Sequence, residues 1–198
     1  MFKKYMFIAM LIVALSGLDF GATHYEVDLY HSSISFTISH MVVSKVRGGF
    51  TDFSVTIMEN EQDLTQSTVS ATIKTTSINT ANETRDKHLR SADFFDVEKF
   101  PEITFQSKRF AKEGDNFAVI GTLTMHGVSK EVTIPFTVVG KVADPMGGVR
   151  MGVEGFTLLD RKDFGLNYNK ALDKGSFVLG DQVKVEILLE MKSKTAAK

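Results

Sequence analysis

His88, Ser91 and Asp93 fall within six residues of one another, and those side-chain types are the ingredients of a hydrolase triad. A hydroxyl nucleophile needs a base beside it, a third group that orients the base, and donors for the oxyanion. No strained GxSxG-type turn surrounds Ser91, and all three crowd the end of one short predicted helix. The plainer reading gives His88 and Arg90 to the negative end of the helix dipole and Asp93 to the turn that follows. A hydrolase using His88, Ser91 and Asp93 is retained as one alternative.

The other reactive residues form no familiar pattern. His24, His31, His40, His88 and His126 show no HxH or HExxH spacing, and there is no cysteine, so no metal site is expected. In a regular strand, His31 and His40 would fall on opposite faces. "DFG" at 163–165 lacks the glycine-rich loop and HRD of a kinase, and "GGVRMG" at 147–152 lacks the GK[ST] ending of a phosphate loop. No catalytic residue and no catalytic cofactor is expected.

The elements that must hold these residues are mostly strands. "ISFTISH" puts Ile34, Phe36 and Ile38 on one face and Ser35, Thr37 and Ser39 on the other. The same period of two marks Val69–Ile73, Val132–Val138 and Val183–Met191, and more weakly Phe53–Ile57, Ile103–Phe105, Phe117–Met125 and Met151–Leu158. Each reads as a half-buried antiparallel strand. Turn signals separate them: "RGG" at 47–49, "EGDN" at 113–116, "HG" at 126–127, "DPMGG" at 144–148 and "LDKG" at 172–175. About eight such strands call for an all-β barrel or sandwich. Pro135 cannot donate to a ladder, so it belongs at a bulge, a strand end or an opening in the wall. One short surface helix is expected at about 81–90, with Thr80 and Glu83 as its capping box.

Composition narrows the function. A net charge of −1 gives no electrostatic reason to expect nucleic acid as partner. Sixteen phenylalanines against no tryptophan supply large apolar area without a hydrogen-bonding handle. Lys3 and Lys4 followed by the apolar run Tyr5–Leu15 resemble an export signal. The expected organisation is a signal peptide at 1–22 with its cleavage point open, one domain at 23–192, and a polar tail at 193–198. An uncleaved membrane anchor is the competing reading. In a bacterium, export puts the domain in the periplasm, where a chain without cysteine must rely on its core for stability. Alternation alone does not tell a packed barrel from one that encloses a ligand.

A resemblance decides between those two. "YEVDLYHSSISFTISHM" at 25–41, "GGFTDFSVTI" at 48–57, "RDKHLRSADFFDVEKFPEITFQS" at 85–107, "GTLTMHGVSKEVTIPF" at 121–136 and "GFTLLDRKDFGL" at 155–166 resemble the YceI-like family in order. The middle block is the most specific. One departure is "LLDRKDFGL", where the family often has isoleucine and asparagine before the arginine; Arg161, Asp163, Phe164 and Gly165 remain. The resemblance implies an eight-stranded antiparallel lipocalin-like barrel around an elongated apolar cavity. It also implies a long-chain ligand, such as a prenyl quinone, a polyprenyl lipid or a fatty-chain amphiphile, with homodimers as a further expectation and no catalysis.

On that reading the inward stripes supply the lining: Ile34, Phe36 and Ile38, then Phe53 and Val55, then Leu123, Phe136 and Met151. The segment "HLRSADFFDVEKFPEITF" at 88–105 becomes an end-plug, with Phe94, Phe95, Phe100 and Phe105 packing against or lining the cavity. Phe164 joins them, and His88 and Arg90 are the candidates for contact with a head group. The expected function is a periplasmic carrier of an isoprenoid or similar amphiphile. The alternative is an accessory protein that presents a bound quinone to a membrane electron-transfer partner, for which a surface cluster of apolar residues at the barrel mouth would be the sign.

Overall fold

The computed structural model describes residues 22–113, 116–171 and 178–193. Residues 1–21 of the expected signal peptide, residues 114–115 of the turn signal at 113–116, the turn signal at 172–175 and residues 194–198 of the polar tail therefore lie outside the described residues, while Ala22 already belongs to the first strand. Eleven strands and one α-helix run in the order β1 (Ala22–Val27), β2 (Ser33–His40), β3 (Ser44–Phe50), β4 (Phe53–Asn60), β5 (Thr68–Lys74), β6 (Ile78–Asn79), α1 (Glu83–Arg90), β7 (Glu102–Glu113), β8 (Asn116–Met125), β9 (Val128–Ala143), β10 (Val149–Asp160) and β11 (Leu179–Ser193).

These close into an eight-stranded antiparallel barrel because three of the walls are broken strands. β1 and β2 both pair with β11 and act as one wall interrupted by a short 3-10 turn, Leu29–His31. β3 and β4 form the second, pairing with β2 and β1 respectively, and β5 with β6 forms the third. β7 to β11 complete the ring, and the β1–β11 pairing closes it. Closure removes the edges that an open sheet would expose.

The period-two stripes face inward together. Ile34, Phe36 and Ile38 stand opposite Ile187, Val185 and Val183 across the β2–β11 ladder. The β8–β9 turn is the expected His126-Gly127, both with positive φ (51° and 76°). The turn expected at 47–49 is instead the middle of β3. Its glycines are there for close approach: a Cβ on Gly48 would lie 2.6 Å from both Phe36 Cζ and Thr80 Cγ2. The two glycines make room for the Phe36 ring and for the second wall's contact with the first.

The helix also starts differently from the expectation. Asn82 is the N-cap, its side chain accepting from the Arg85 N–H at 3.0 Å. Thr80 is buried instead, and both its N–H and its hydroxyl donate to the Asp86 carboxylate, at 2.9 and 2.5 Å. That buried anchor fastens a helix whose one apolar residue is Leu89.

Pro135 marks a seam. The β9–β10 ladder runs from Val149↔Ala143 to Gly155↔Phe136 and stops there, with Pro135 the next residue of β9. Beyond it, the first part of β9 pairs only with β8, and residues 156–160 of β10 pair only with β11. A second, smaller cavity of about 230 Å³ sits in the resulting gap, walled by Val132, Thr133, Thr157 and Leu159 among others. The Lys130–Asp163 ion pair (2.6 Å) and a long hydrogen bond from Thr157 to the Thr133 carbonyl (3.4 Å) bridge it.

Candidate functional site: an apolar cavity with a cationic end

Inside the barrel is a cavity of about 550 Å³. That is within the range of small-molecule sites. Its walls are the inward faces of β2, β4, β5, β7, β8, β9, β10 and β11, carrying Ile, Val, Leu, Phe and Met. Ile34, Phe36, Ile38, Val55, Phe94, Phe95, Phe105, Leu123, Phe136 and Met151 all line it, as does His88.

Three residues expected at the lining, and one expected at a head group, stand elsewhere. Phe53 is buried in the core cluster that includes Val55 and Ile57. Phe164 is 2% exposed and packs with Ile103, Met125 and Leu166 under the short 3-10 turn after β10. Phe100 lies against the His126 ring (4.5 Å), close over Gly127, while its carbonyl accepts from the Thr75 hydroxyl. Arg90 is spent on the backbone, donating to the Thr76 and Ile78 carbonyls at 2.8 and 2.6 Å. It ties the end of α1 to β6 and does not reach the cavity.

The 88–105 segment closes one end of the cavity. Phe94 is 9% exposed and meets the rings of His88 (5.0 Å) and Tyr168 (4.8 Å). Phe95 sets its edge on Phe50 at 5.9 Å. Such tilted and edge contacts are the favoured aromatic geometries. The three triad ingredients do not form a triad. His88 Nε2 pairs with Asp93 Oδ2 at 2.7 Å, but the Ser91 hydroxyl donates to the His88 carbonyl at 2.8 Å, not to its ring. Ser91 is exposed and is not on the cavity wall.

Polar groups gather at the ends of the cavity. At the α1 end, His40, Arg85, His88, Arg161, Tyr168 and Lys170 reach it. Arg85 donates to the Thr80 hydroxyl and carbonyl. Arg161 is 4% exposed and donates to the carbonyls of Gly180, Leu166 and Tyr168 and to the Asp181 carboxylate. It pins the 166–168 stretch against β11. At the opposite end the polar residue is Glu59, buried at 7% exposure and held by Lys141 at 2.5 Å. Burial works against the Lys141 charge, but the hydrogen bond and charge of Glu59 outweigh it and raise the ammonium above its ordinary range. Burial likewise raises the neighbouring Tyr25 phenol. The period of two carried the signal for two of these residues: Glu59 is in phase with Phe53, Val55 and Ile57, and His40 is in phase with Ile34, Phe36 and Ile38.

A separate ion cluster closes the break between β1 and β2. Asp28, His31 and Glu190 bring their ligand-type atoms together. Lys192, Arg150 and His31 all bond Asp28, and Arg150 also bonds Glu190 and Asp144. Hydrogen bonds from Lys192 first, then His31 and Arg150, hold the Asp28 carboxyl far below the usual carboxylate range despite its burial. Arg150 and Lys192 already supply cations to these carboxylates. His31 sits in the 3-10 turn, so the regular-strand relation between His31 and His40 does not apply.

Comparisons with known proteins agree with this architecture. The YceI-like domain family matches residues 25–191. A UPF0312 protein of Staphylococcus aureus (strain N315) is 38% identical over 169 residues, 85% of this chain and 96% of that protein. Among solved structures, BcnA of Burkholderia cenocepacia superimposes with a TM-score of 0.73 at 25% identity, covering 83% of this chain and 98% of its own. A Campylobacter jejuni YceI protein gives 0.68 at 29% identity, covering 80% and 91%. A polyisoprenoid binding domain from Saccharophagus degradans shares the fold, with a TM-score of 0.62 at 17% identity over 86% of this chain and 98% of that one. The chain belongs to the YceI-like domain family.

Proposed function

We propose that this YceI-like protein is an exported, non-enzymatic carrier that holds a long-chain isoprenoid, such as a prenyl quinone or polyprenyl lipid, or a similar amphiphile inside its barrel. The observation that carries the reading is the 550 Å³ apolar cavity with its ionisable groups gathered at the ends. A hydrocarbon chain in such a space gains roughly 0.8 kcal/mol per buried CH₂. Ten groups therefore offer about 8 kcal/mol before the cost of ordering the ligand, so few polar contacts are needed. Arg85, His88 and Lys170 at the α1 end suit an electron-rich head, a phosphate or a quinone carbonyl, with the chain running toward Glu59. The fold is also that of a domain whose name states polyisoprenoid binding. The export signal read at 1–22 supports a periplasmic location.

The quinone-presenting reading has its own observation. Apolar residues cluster at the cavity's α1 end, on the β2–β3 tip, where Val42 and Val43 are 82% and 88% exposed. The hydrolase reading lacks one, since Ser91 and the His88 ring are not hydrogen-bonded. The test is native purification, solvent extraction and mass spectrometry, followed by titration with prenyl alcohols of increasing length. Affinity should rise with chain length and change little with salt. Affinity indifferent to length but abolished by salt would overturn the carrier reading.

A further inference from the structure

The β2–β3 hairpin ends in a feature that barrel closure does not explain. Met41, Val42 and Val43 follow one another at its tip and are 44%, 82% and 88% exposed. Met41 and Val42 have φ of 52° and 65°. The left-handed region is disfavoured for β-branched residues, and glycine or asparagine would make such a turn at less cost. A strained turn that displays three apolar side chains to water is costly twice over.

The tip belongs to the rim of the cavity. His40 just before it and Val46 just after it line the cavity. The Met41 N–H donates to the Val178 carbonyl at 2.7 Å, and Val178 is itself on the lining. Beyond the tip, residues 44–48 of β3 pair with β2 alone, because the β3–β6 ladder covers only Gly49 and Phe50. Two lysines belong to the segments next to the tip: Lys45 on β3, and Lys170, whose carbonyl accepts from Val178. Both are exposed, and neither forms an ion pair among the described residues.

We propose that Met41, Val42 and Val43 form a wedge that enters the interfacial layer of an anionic lipid bilayer, seating the cavity rim against the membrane. The inference rests on the carrier reading, and it names the surface with which the carrier exchanges its ligand. A bilayer fits this tip better than a protein does. A stable protein interface takes about 800 Å² and some 20–30 residues from each partner, whereas a three-residue point offers only a corner. Interfacial membrane binding scales with a small inserted apolar area plus the attraction of nearby cations for anionic head groups.

The chain has no cysteine, so a single one can be placed at will. The full chain carrying Val43→Cys is labelled with an environment-sensitive dye, beside a Ser54→Cys control on the outer face of β4. Vesicles of phosphatidylcholine, with and without phosphatidylglycerol, are then added. The dye at 43 should shift to the blue and become accessible to a lipid-borne quencher, most strongly with phosphatidylglycerol, while the dye at 54 should not. Lys45→Glu with Lys170→Glu should weaken that response at least about tenfold.

In the second arm, unlabelled protein preloaded with a fluorescent prenyl lipid transfers it to the same vesicles. The double variant Val42→Gly, Val43→Ser removes the apolar surface and relieves the left-handed strain, so it should fold. It should slow transfer about tenfold and leave retention without vesicles unchanged. A protein that holds the prenyl lipid while its dye at 43 stays aqueous with both vesicle types overturns the wedge. So does a double variant that transfers at the wild-type rate, or a tip that responds to a membrane protein and not to lipid. A protein that holds no prenyl lipid at all defeats the carrier reading instead.

Discussion

Phe94→Ala tests the end-plug. The ring is 9% exposed and touches His88 and Tyr168, so its removal takes most of a buried phenyl group out of the structure. Burial of that kind is worth roughly 3–5 kcal/mol in a filled core. Phe94 also borders the cavity, where part of the space beside it is already empty, so the lower figure of about 3 kcal/mol applies. In a domain of this size that is a fall of about 6–12 °C in Tm. The same change opens the α1 end of the cavity, so a preloaded prenyl alcohol should leave faster. Calorimetry gives the first quantity and stopped-flow release into a trap gives the second. The control is the double change Ser91→Ala, Asp93→Ala, which leaves the His88 ring in place against Phe94. The His88–Asp93 pair is largely exposed, 42% and 54%, and such pairs contribute about 0–1 kcal/mol. The double variant should fold and keep its ligand. If Phe94→Ala retained both Tm and release rate, or the double variant released ligand as fast, the segment would not be the seal.

Phe36→Asp places a carboxylate in the apolar cavity and should unfold or empty the barrel, whereas Thr37→Asp, flanked by Arg47 and Lys184 on the outer face, should leave Tm within about 2 °C; equal losses would reverse the face assignment. Gly48→Ala should cost about 1–3 kcal/mol and shrink the cavity by pushing the Phe36 ring inward, and a variant that binds prenyl alcohols as tightly as wild type would contradict that geometry. Asp28 is ionised in the fold far below its ordinary pKa, so its contribution is complete above about pH 4 and is lost as the pH falls further. Asp28→Asn should therefore lower stability at pH 7 and flatten the acid limb of a Tm-against-pH curve below about pH 4; parallel curves for the two proteins would remove Asp28 from the account.

Much of the barrel was legible because half-buried antiparallel strands write their facing into the sequence every second residue. The stripes at Ile34–Ile38, Val69–Ile73, Val132–Val138 and Val183–Met191 all turned out to be walls. Residues 47–49 spell a turn because glycine pairs signal turns locally, while within β3 they answer a distant ring, Phe36. The helix cap moved from Thr80 to Asn82 for a similar reason: Thr80 is claimed by Asp86 in three dimensions. Parity shows that a side chain points inward, not whether it reaches open space. Phe53 is in phase with Val55 and yet lies in the packed part of the core. The cationic end was the least legible part, since Arg85, Tyr168 and Lys170 come from a helix and a connection with no strand period to reveal them.

The seam beside Pro135 gives the wall a line of compliance. Along the paired stretches of the ring, parting two strands means breaking a row of backbone hydrogen bonds. Between the first part of β9 and residues 156–160 of β10 the backbone row is absent, and among the described residues the Lys130–Asp163 pair and one long side-chain bond are the polar contacts that span the gap. The circumference can therefore widen there at small cost, whereas the length of the cavity is fixed by Glu59 at one end and the aromatic plug at the other. A thick chain bristling with methyl branches should be taken in more readily than a slender one that is too long.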